Sequence, residues 1–432
     1  MTLAQSITII IFIVVFLFIA TEVIHRTYAA LLGTLGMVLI GAVKPKELLG
    51  FIDIEILAVV FGMFLLVKGA ERSGLFRLLA VKIMKSTQSP TSFAIILLSF
   101  TMILALFVSN IGAMLIAAAI TVTMSRSLKM KPQMLMIFQA ILINIGGMML
   151  WMSSIPNIII ALEGEISFFS FLLNILPLGA ILYVVTMVIF LKIFKKELAT
   201  KPEDELRDLE FDEWMDRSIE ISGLKASRID LSQIMAISVL LGTVLGFIVY
   251  EKLALTPAFV ALAGGCLMLM IQYREPNSVL KEIDWSTIFF LAGLFIMVNG
   301  LDRVEAIEMM SKRLLNLIGR DPLKASIAIM WLSGLASSLV DNIPLASSLA
   351  PVVKDIVVDE GWKTLWWGLV IGANLGGNIT PMGSPSTVIA FGVSKQEGYP
   401  ISFKRFFKIG LGITIFHFLI SMIYLYIKYC IF

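Results

Sequence analysis

The chain has 432 residues, of which 58% are hydrophobic and 15% charged, with a net charge of +3 and a mean hydropathy of +0.94. This balance lies outside that of soluble globular domains and predicts a membrane protein. It also excludes a nucleic-acid-binding face, because the Lys and Arg residues stand mostly in short breaks between apolar runs, where they set membrane topology.

The first apolar run, residues 7–20, has no basic segment before it and no small-residue cleavage site after it, so we expect a retained first helix. Similar runs recur as far as residue 427, and several are shorter than the roughly 20 residues that a full crossing needs. Short or glycine-interrupted runs are typical of re-entrant hairpins and broken helices. The pattern predicts an all-α polytopic membrane protein with about ten to twelve transmembrane helices, two re-entrant hairpins and two broken helices.

Two interruptions mark the first half of the chain. Ser109 and Asn110 stand between two apolar runs, as expected at a hairpin tip where a helix begins. Residues 144–157 read NIGGMMLWMSSIPN, in which Gly146 and Gly147 permit non-helical dihedrals and Pro156 removes a backbone donor. The polar side chains of this broken segment are those of Asn144, Ser153, Ser154 and Asn157.

A charged central segment divides the chain nearly in half. Residues 195–230 carry both signs of charge and are too polar to cross a membrane. We therefore predict a first membrane repeat with leading helices at residues 1–194, a central loop at 195–230 and a second membrane repeat at 231–432. The Lys and Arg content of the loop favours the cytoplasmic side.

The two halves repeat each other in sequence. A constant offset of 231 places Asp53 on Asp284, Gly62 on Gly293, Phe64 on Phe295, Gly69 on Gly300, Glu71 on Asp302 and Arg72 on Arg303. The motif at Ser109-Asn110 matches Asp341-Asn342, and the motif beginning at Asn144 matches the one beginning at Asn374. Paired interrupted segments in an internal repeat indicate a secondary transporter whose site lies between the repeats near the midplane. The acid–base pairs at 71–72 and 302–303 are interpreted as interfacial anchors.

The second half carries the more polar copies of both interruptions. Its broken segment, residues 372–390, reads GANLGGNITPMGSPSTVIA. Freed backbone groups in such a break are costly in lipid, so we expect them to face a polar solute together with nearby side chains. The side chains expected to do so are those of Asn374, Asn378, Thr380 and Ser384.

Asp341 is the one acid clearly flanked by long apolar runs. An ionisable residue at membrane depth is costly and indicates function, so we predict that Asp341 carries the coupling proton or cation. The alternative is a helix N-cap at an interface. Two half-helix N-termini at one point would favour an anion or a polarised neutral oxygen, whereas carbonyls and Asp341 would favour a cation, which leaves the sign of the solute open.

No motif supports an enzyme, since Walker A, GxGxxG, HExxH and GxSxG patterns are absent from the sequence. Cys266 and Cys430 lack a CxxC pattern or a neighbouring His, so we expect buried thiols, no disulfide and no metal site. His25 and His417 are isolated in sequence and are not candidate ligands. No cofactor is expected.

Four stretches carry a family resemblance: IHRTYAALLG (24–33), FIDIEILAVVFGMFLLV (51–67), LASSLVDNIPLASSLAPVV (335–353) and the broken segment of the second half. They resemble the ion transporter superfamily, in its branch of arsenite/antimonite permeases and the melanosomal P protein. NhaD-type sodium/proton antiporters and the sodium-coupled divalent-anion symporters are more distant members.

The resemblance implies two inverted repeats, each with a hairpin and an unwound helix, in many members within a homodimer that has a scaffold and a moving transport domain. It places the solute near Asp341 and near Ser109, Asn110, Asn144, Gly146, Gly147, Asn342, Asn374, Gly376, Gly377, Thr380, Gly383 and Ser384. The divalent-anion symporters have Ser-Asn-Thr at both hairpin tips, whereas this chain has Ser-Asn-Ile and Asp-Asn-Ile, which argues against a dicarboxylate.

The expected function is export of trivalent arsenic or antimony as the neutral hydroxide in exchange for protons, across the plasma membrane. Two alternatives are a sodium/proton antiporter, with hard oxygen ligands, and an inorganic or organic anion transporter. A further alternative is a membrane subunit driven by a soluble ATPase partner through the central loop.

Overall fold

The structure, a computed structural model, describes residues 3–431 except 22, 77, 79–89, 128–130, 199–229 and 272–275, and these residues form helices and short connections. The protein is an all-α polytopic membrane protein with two inverted repeats. Among the described residues, four helices are long and apolar enough to cross a bilayer on their own, within residues 168–193, 231–249, 285–303 and 403–430. A helix pair bent by 53° at residues 45–72 is apolar enough to count as a fifth if the two helices form one span.

The first half begins with two leading helices, continues through a hairpin and a broken helix, and ends in one long span. Its helices are α1 (Leu3–Thr21), α2 (Arg26–Leu39), a 3₁₀ helix (Pro45–Phe51), α3 (Ile54–Arg72), α4 (Pro90–Phe107), α5 (Asn110–Ser127), α6 (Gln133–Met149), α7 (Ile155–Glu163) and α8 (Phe168–Leu198).

The second half has the same order and includes an amphipathic helix, α13, whose first-half equivalent falls largely outside the described residues. Its helices are α9 (Leu231–Val249), α10 (Pro257–Ile271), α11 (Pro276–Lys281), α12 (Trp285–Arg303), α13 (Ala306–Ile318), α14 (Pro322–Ser337), α15 (Asn342–Glu360), α16 (Thr364–Leu375), a 3₁₀ turn (Gly376–Asn378), α17 (Pro385–Gln396) and α18 (Phe403–Ile431). The hairpins are α4–α5 and α14–α15, and the broken helices are α6–α7 and α16–α17, as the sequence predicts.

Local chemistry explains why equivalent helices begin and end at equivalent residues. Asp53 caps α3 by accepting from the Ile56 amide at 2.9 Å, and Asp284 caps α12 by accepting from the Thr287 amide at 3.0 Å. Each broken helix restarts with a proline in its first turn, where the missing N–H is not needed.

The two repeats are intertwined through close helix crossings at glycines. Helix α10 of the second half packs on α3 of the first, where a Cβ added to Gly62 would lie 2.4 Å from the Ala261 carbonyl carbon. In the reciprocal crossing, α2 packs on α12, and a Cβ at Gly293 would lie 3.2 Å from Ala30. Small residues allow such approaches between membrane helices. Helix α2 of the first half therefore packs against the second half, and helix α10 of the second half packs against the first.

The expectation of buried thiols is wrong, and most of the predicted central loop lies outside the described residues. Cys266 and Cys430 are both exposed rather than buried, because each lies on the outward face of its helix. Helix α8 continues past residue 194 to Leu198, and residues 199–229 of the predicted central loop lie outside the described ranges.

Candidate functional site

The two hairpin tips place helix N-termini inside the protein. In the first, the Ser109 hydroxyl accepts a hydrogen bond from the Gly112 amide at 3.3 Å, at the start of α5. In the second, the Asp341 carboxylate accepts from the Ile343 amide at 3.2 Å, at the start of α15. Both residues satisfy amides that would otherwise lack a partner in the first helical turn.

The two broken helices exchange hydrogen bonds through their asparagines. Asn144 of α6 donates from Nδ2 to Asn378 Oδ1 at 2.8 Å and to Ser384 Oγ at 3.1 Å, both in the break between α16 and α17. Asn374, its repeat equivalent in α16, donates to Asn157 Oδ1 at 2.8 Å in the first repeat. Each break is therefore joined to the other by an amide, and all four asparagines are buried.

Asn144 also connects this cluster to a hairpin tip. Asn110 Nδ2 donates to Asn144 Oδ1 at 3.4 Å, and the Ser386 hydroxyl donates to the same oxygen at 3.4 Å. Within the described residues, Asn110 Oδ1 and Asn378 Nδ2 are buried without a hydrogen-bond partner. We call Asn110, Asn144, Asn378, Ser384 and Ser386 the amide cluster; it retains one free acceptor and one free donor.

A cavity of about 710 Å³ reaches the amide cluster from one side. The helices that begin at its wall include α5 at Asn110, α7 at Ile155, α15 at Asn342 and α17 at Pro385. Each helix N-terminus carries roughly half a positive charge and unpaired amide hydrogens. The wall is therefore suited to solutes that present oxygen lone pairs.

The acid singled out from the sequence has a basic partner in this cavity. Arg26, at the start of α2, donates to Asp341 Oδ2 at 2.9 Å and lies 3.6 Å from Asp284. It also donates to Thr287 Oγ1 at 2.7 Å, and its guanidinium lies 5.5 Å from the centre of the Phe290 ring. The sequence around Asp341 gives no sign of this partner, because the contact joins residues 315 positions apart. Asp341 is both an N-cap and one half of an ion pair.

A second ion pair lines the same cavity. Lys68 donates to Glu71 Oε2 at 2.7 Å on one face of α3, and Glu71 Oε1 is buried without a partner among the described residues. Glu71, interpreted from the sequence as an interfacial anchor, thus also lines the cavity. Neighbouring Arg72 faces Glu282 at 2.5 Å near the cavity mouth, and its hydrogen bond holds the pKa of the Glu282 carboxyl below the usual value.

A smaller cavity of about 480 Å³ is built from the equivalent residues of the other repeat. Residues that line the first cavity are related by the offset of 231 to residues that line the second. The pairs, with the residue of the first cavity given first, are Asp284 and Asp53, Phe64 and Phe295, Lys68 and Asn299, and Glu71 and Asp302. The same offset carries Arg26 onto Pro257, and Asp341 corresponds to Ser109, so the Arg26–Asp341 pair has no charged counterpart.

The structure brings most predicted site residues together around the first cavity and the two breaks. Ser109, Asn110 and Asn342 line the cavity, whereas Asn144, Asn374, Thr380 and Ser384 are buried behind its wall. The Thr380 hydroxyl donates to the Ser338 carbonyl at the second hairpin tip.

The predicted glycines serve close packing within the protein. A Cβ at Gly376 would lie 2.2 Å from the Gly334 carbonyl oxygen, and one at Gly377 would lie 2.7 Å from that of Gly383. Similarly, Gly146 faces the Met102 carbonyl, and Gly147 faces the Asn110 side chain. These glycines let the breaks approach the hairpins, which positions the polar side chains.

Four residues of this site were not predicted from the sequence as site residues, namely Arg26, Lys68, Glu71 and Ser386. Lys68 and Glu71 offered a signal, because charges three apart inside an otherwise apolar helix indicate a paired, inward-facing site. Arg26 offered a weaker one, since a basic residue at a helix start is also typical of an interfacial anchor.

The sequence matches a known protein family. A family model described as a citrate transporter matches residues 16–372. The chain belongs to this family. It is also 27% identical to a 46 kDa membrane protein of Mycobacterium leprae over 98% of this chain and 99% of that one, and 26% identical to the human P protein over 96% of this chain and 59% of that one.

The fold of this protein matches that of a solved transporter. The crystal structure of the YdaH transporter from Alcanivorax borkumensis, whose title notes an unusual topology, superposes with a TM-score of 0.62 over 88% of this chain and 86% of that one. The identity is 14%, so this likeness concerns the fold alone. The family is described as one of transporters, and the fold is that of a solved transporter.

Proposed function

We propose that the protein is a secondary transporter that exports a small hydroxyl-bearing solute, arsenite or antimonite as the neutral hydroxide, in exchange for protons. The observation that supports this most directly is the amide cluster with its free acceptor at Asn110 Oδ1 and free donor at Asn378 Nδ2. A buried polar group without a partner costs about 1–3 kcal/mol. A hydroxyl group both donates and accepts, so a neutral hydroxide can satisfy both atoms.

The charges around the cavity favour an uncharged cargo. Arg26 is paired with Asp341, and Lys68 with Glu71, so both basic side chains among the described lining residues already have acidic partners. A multiply charged anion would have to compete with these carboxylates at close range. A neutral solute can enter without disturbing either pair.

The coupling proton is assigned to Asp341. Protonation removes the charge that holds Arg26 at 2.9 Å, while the second acid near Arg26 lies farther away at 3.6 Å. Arg26 lies on α2, which packs on α12, whereas Asp341 lies at the tip of a hairpin. Gain or loss of one proton would therefore weaken or restore a contact between two parts of the fold, which is what coupling requires.

Uptake of radiolabelled or mass-detected arsenite into everted vesicles, with and without an imposed proton gradient, tests this proposal. We expect uptake to rise at least about tenfold with the gradient, because an exchanger converts the proton free energy into solute accumulation. Uptake that ignores the gradient would contradict the coupling, and vesicles that move no arsenite or antimonite would contradict the cargo.

A carboxylate anion is the second candidate. The helix N-termini at the cavity wall favour it, and so does the description of the family as citrate transporters. Labelled citrate in the same vesicles separates the two, since an anion transporter would accumulate citrate and would not be inhibited by arsenite. Sodium-dependent proton release would instead indicate a sodium/proton antiporter. We further propose a homodimer in the plasma membrane; ATP dependence would require a soluble ATPase partner.

A further inference from the structure

Three polar side chains on one face of the last helix each have a buried atom without a hydrogen-bond partner among the described residues. Thr414, His417 and Ser421 recur at helical spacing on α18, and each is at most 1% exposed. Within the described residues, Thr414 Oγ1, His417 Nδ1 and Ser421 Oγ have no hydrogen-bond partner. Buried hydroxyls in helices usually bond back to the carbonyl four residues earlier, and these two do not. Native proteins leave very few such atoms unsatisfied unless water occupies the space.

The hydrogen bonds of the neighbouring helix fix the tautomer of His417. Thr186 of α8 donates its hydroxyl hydrogen to the Leu182 carbonyl at 2.7 Å, so its oxygen accepts from His417 Nε2 at 2.9 Å. The neutral ring therefore carries its hydrogen on Nε2, and Nδ1 is a free acceptor. A water molecule can donate to Nδ1 and bond to the free hydroxyls of the same face.

The same face of α18 meets the candidate site at one end. Gly410, one turn before Thr414, packs so closely on the break that a Cβ there would lie 2.0 Å from the Asn378 carbonyl oxygen. From Gly410 to Ser421 the helix rises about 16 Å, at 1.5 Å per residue. Beyond Ser421, the half-buried Tyr424 donates its hydroxyl to the Asn174 carbonyl of α8. The polar face thus extends from the break at Asn378 towards the C-terminal end of α18.

We propose that ordered water molecules fill the interface between α8 and α18 and form a proton path, through His417, between the amide cluster and the membrane face at the C-terminal end of α18. An excess proton carried by one water passes to Nδ1 and then from Nδ1 to the next water, while the Nε2 hydrogen stays hydrogen-bonded to Thr186, so the ring is neutral and in the same tautomer after each passage. We call these water molecules the water file. Its presence does not depend on the cargo, whereas its role in coupling rests on the proposed proton exchange.

Radiolytic hydroxyl labelling of the purified full chain in nanodiscs, read by mass spectrometry, tests the water file. Radicals formed from internal water label the side chains beside it. The chain supplies its own references, because His25 is exposed and Phe418, adjacent to His417, is 1% exposed and packed on Trp331. After correction for intrinsic reactivity, we expect His417 to be labelled at least about tenfold faster than Phe418 and within about fivefold of His25. Protection of His417 equal to that of Phe418 would overturn the proposal.

The double variant Thr414→Val and Ser421→Ala removes two partners of the water and leaves His417 in place. We expect it to lower His417 labelling at least about threefold, to lower the melting temperature and to slow gradient-driven uptake about tenfold at unchanged KM for arsenite. In a dry interface the same changes would remove two unsatisfied hydroxyls and raise the melting temperature, which would contradict the proposal. Thr243→Val in α9 is the matched control, since that buried hydroxyl is satisfied by the Val239 carbonyl.

The variant His417→Phe tests the proton path separately from the presence of the water file. It keeps a ring of similar size and removes the proton-accepting nitrogen, so we expect slower gradient-driven uptake with arsenite exchange at equal pH retained. Normal gradient-driven uptake would overturn the proton path. Absence of arsenite transport in the unmodified protein would instead reject the proposed cargo and leave the labelling result standing.

Discussion

Asn144→Leu is expected to lower arsenite uptake about hundredfold at equal amounts of folded protein. The change removes the amide that joins Asn110, Asn378 and Ser384, and at least two buried bonds are lost at about 1–3 kcal/mol each. A loss of about 1.4 kcal/mol corresponds to one factor of ten in rate. Initial rates in everted vesicles, normalised to folded protein by size-exclusion chromatography, measure the effect.

Gln139→Leu is the matched control, because Gln139 is a buried amide on the same helix that bonds to Thr121 and Thr101, away from the cavity. We expect a lower melting temperature and a nearly normal transport rate per folded molecule. Equal losses of transport in the two variants would mean that Asn144 serves only the stability of α6, and the assignment of the amide cluster as the solute site would fail.

Asp341→Asn is expected to abolish gradient-driven uptake, with a loss of about hundredfold, while solute exchange at equal pH persists. Asn caps a helix as well as Asp does, so the variant removes the charge and keeps the N-terminus of α15 intact. Without that charge Arg26 keeps the more distant Asp284, and the proton-dependent contact between α2 and the hairpin disappears. Uptake with and without the gradient, compared with exchange of labelled against unlabelled arsenite, provides the measurement.

Asp321→Asn offers the control for capping alone. Asp321 caps α14 by accepting from the Lys324 amide at 2.8 Å, at the end of that helix opposite the hairpin tip. We expect normal coupling in that variant. If Asp341→Asn kept its response to the gradient, Asp341 would be only an N-cap, and the coupling proton would have to be carried elsewhere, with Glu71, Glu282 and Asp284 as the acids that line the cavity.

Much of the fold could be predicted because its signals are local. The glycine pair followed by serine and proline marks each break, and a short polar residue before asparagine marks each hairpin tip. The constant offset between the halves then predicts that breaks and tips recur in the same order. The structure shows that order in α3–α7 and again in α12–α17.

The ion pairs of the site could not be predicted in the same way. Arg26 reaches Asp341 because α2 of the first half packs on α12 of the second, and one sequence contains no signal for that intertwined packing. Local spacing likewise predicts that Asn144 and Asn374 lie near the breaks, but not that each donates to the break of the opposite repeat. Both features depend on long-range packing rather than on neighbouring residues.

Alternating access between the two repeats requires that the two cavities open on opposite membrane faces. Single cysteines at the repeat-equivalent positions Lys68 and Asn299, in a chain with the exposed Cys266 and Cys430 replaced by serine, test this with a membrane-impermeant thiol reagent. Right-side-out and everted vesicles should give opposite results, with Lys68→Cys modified from one face and Asn299→Cys from the other. Modification of both positions from the same face would contradict the account.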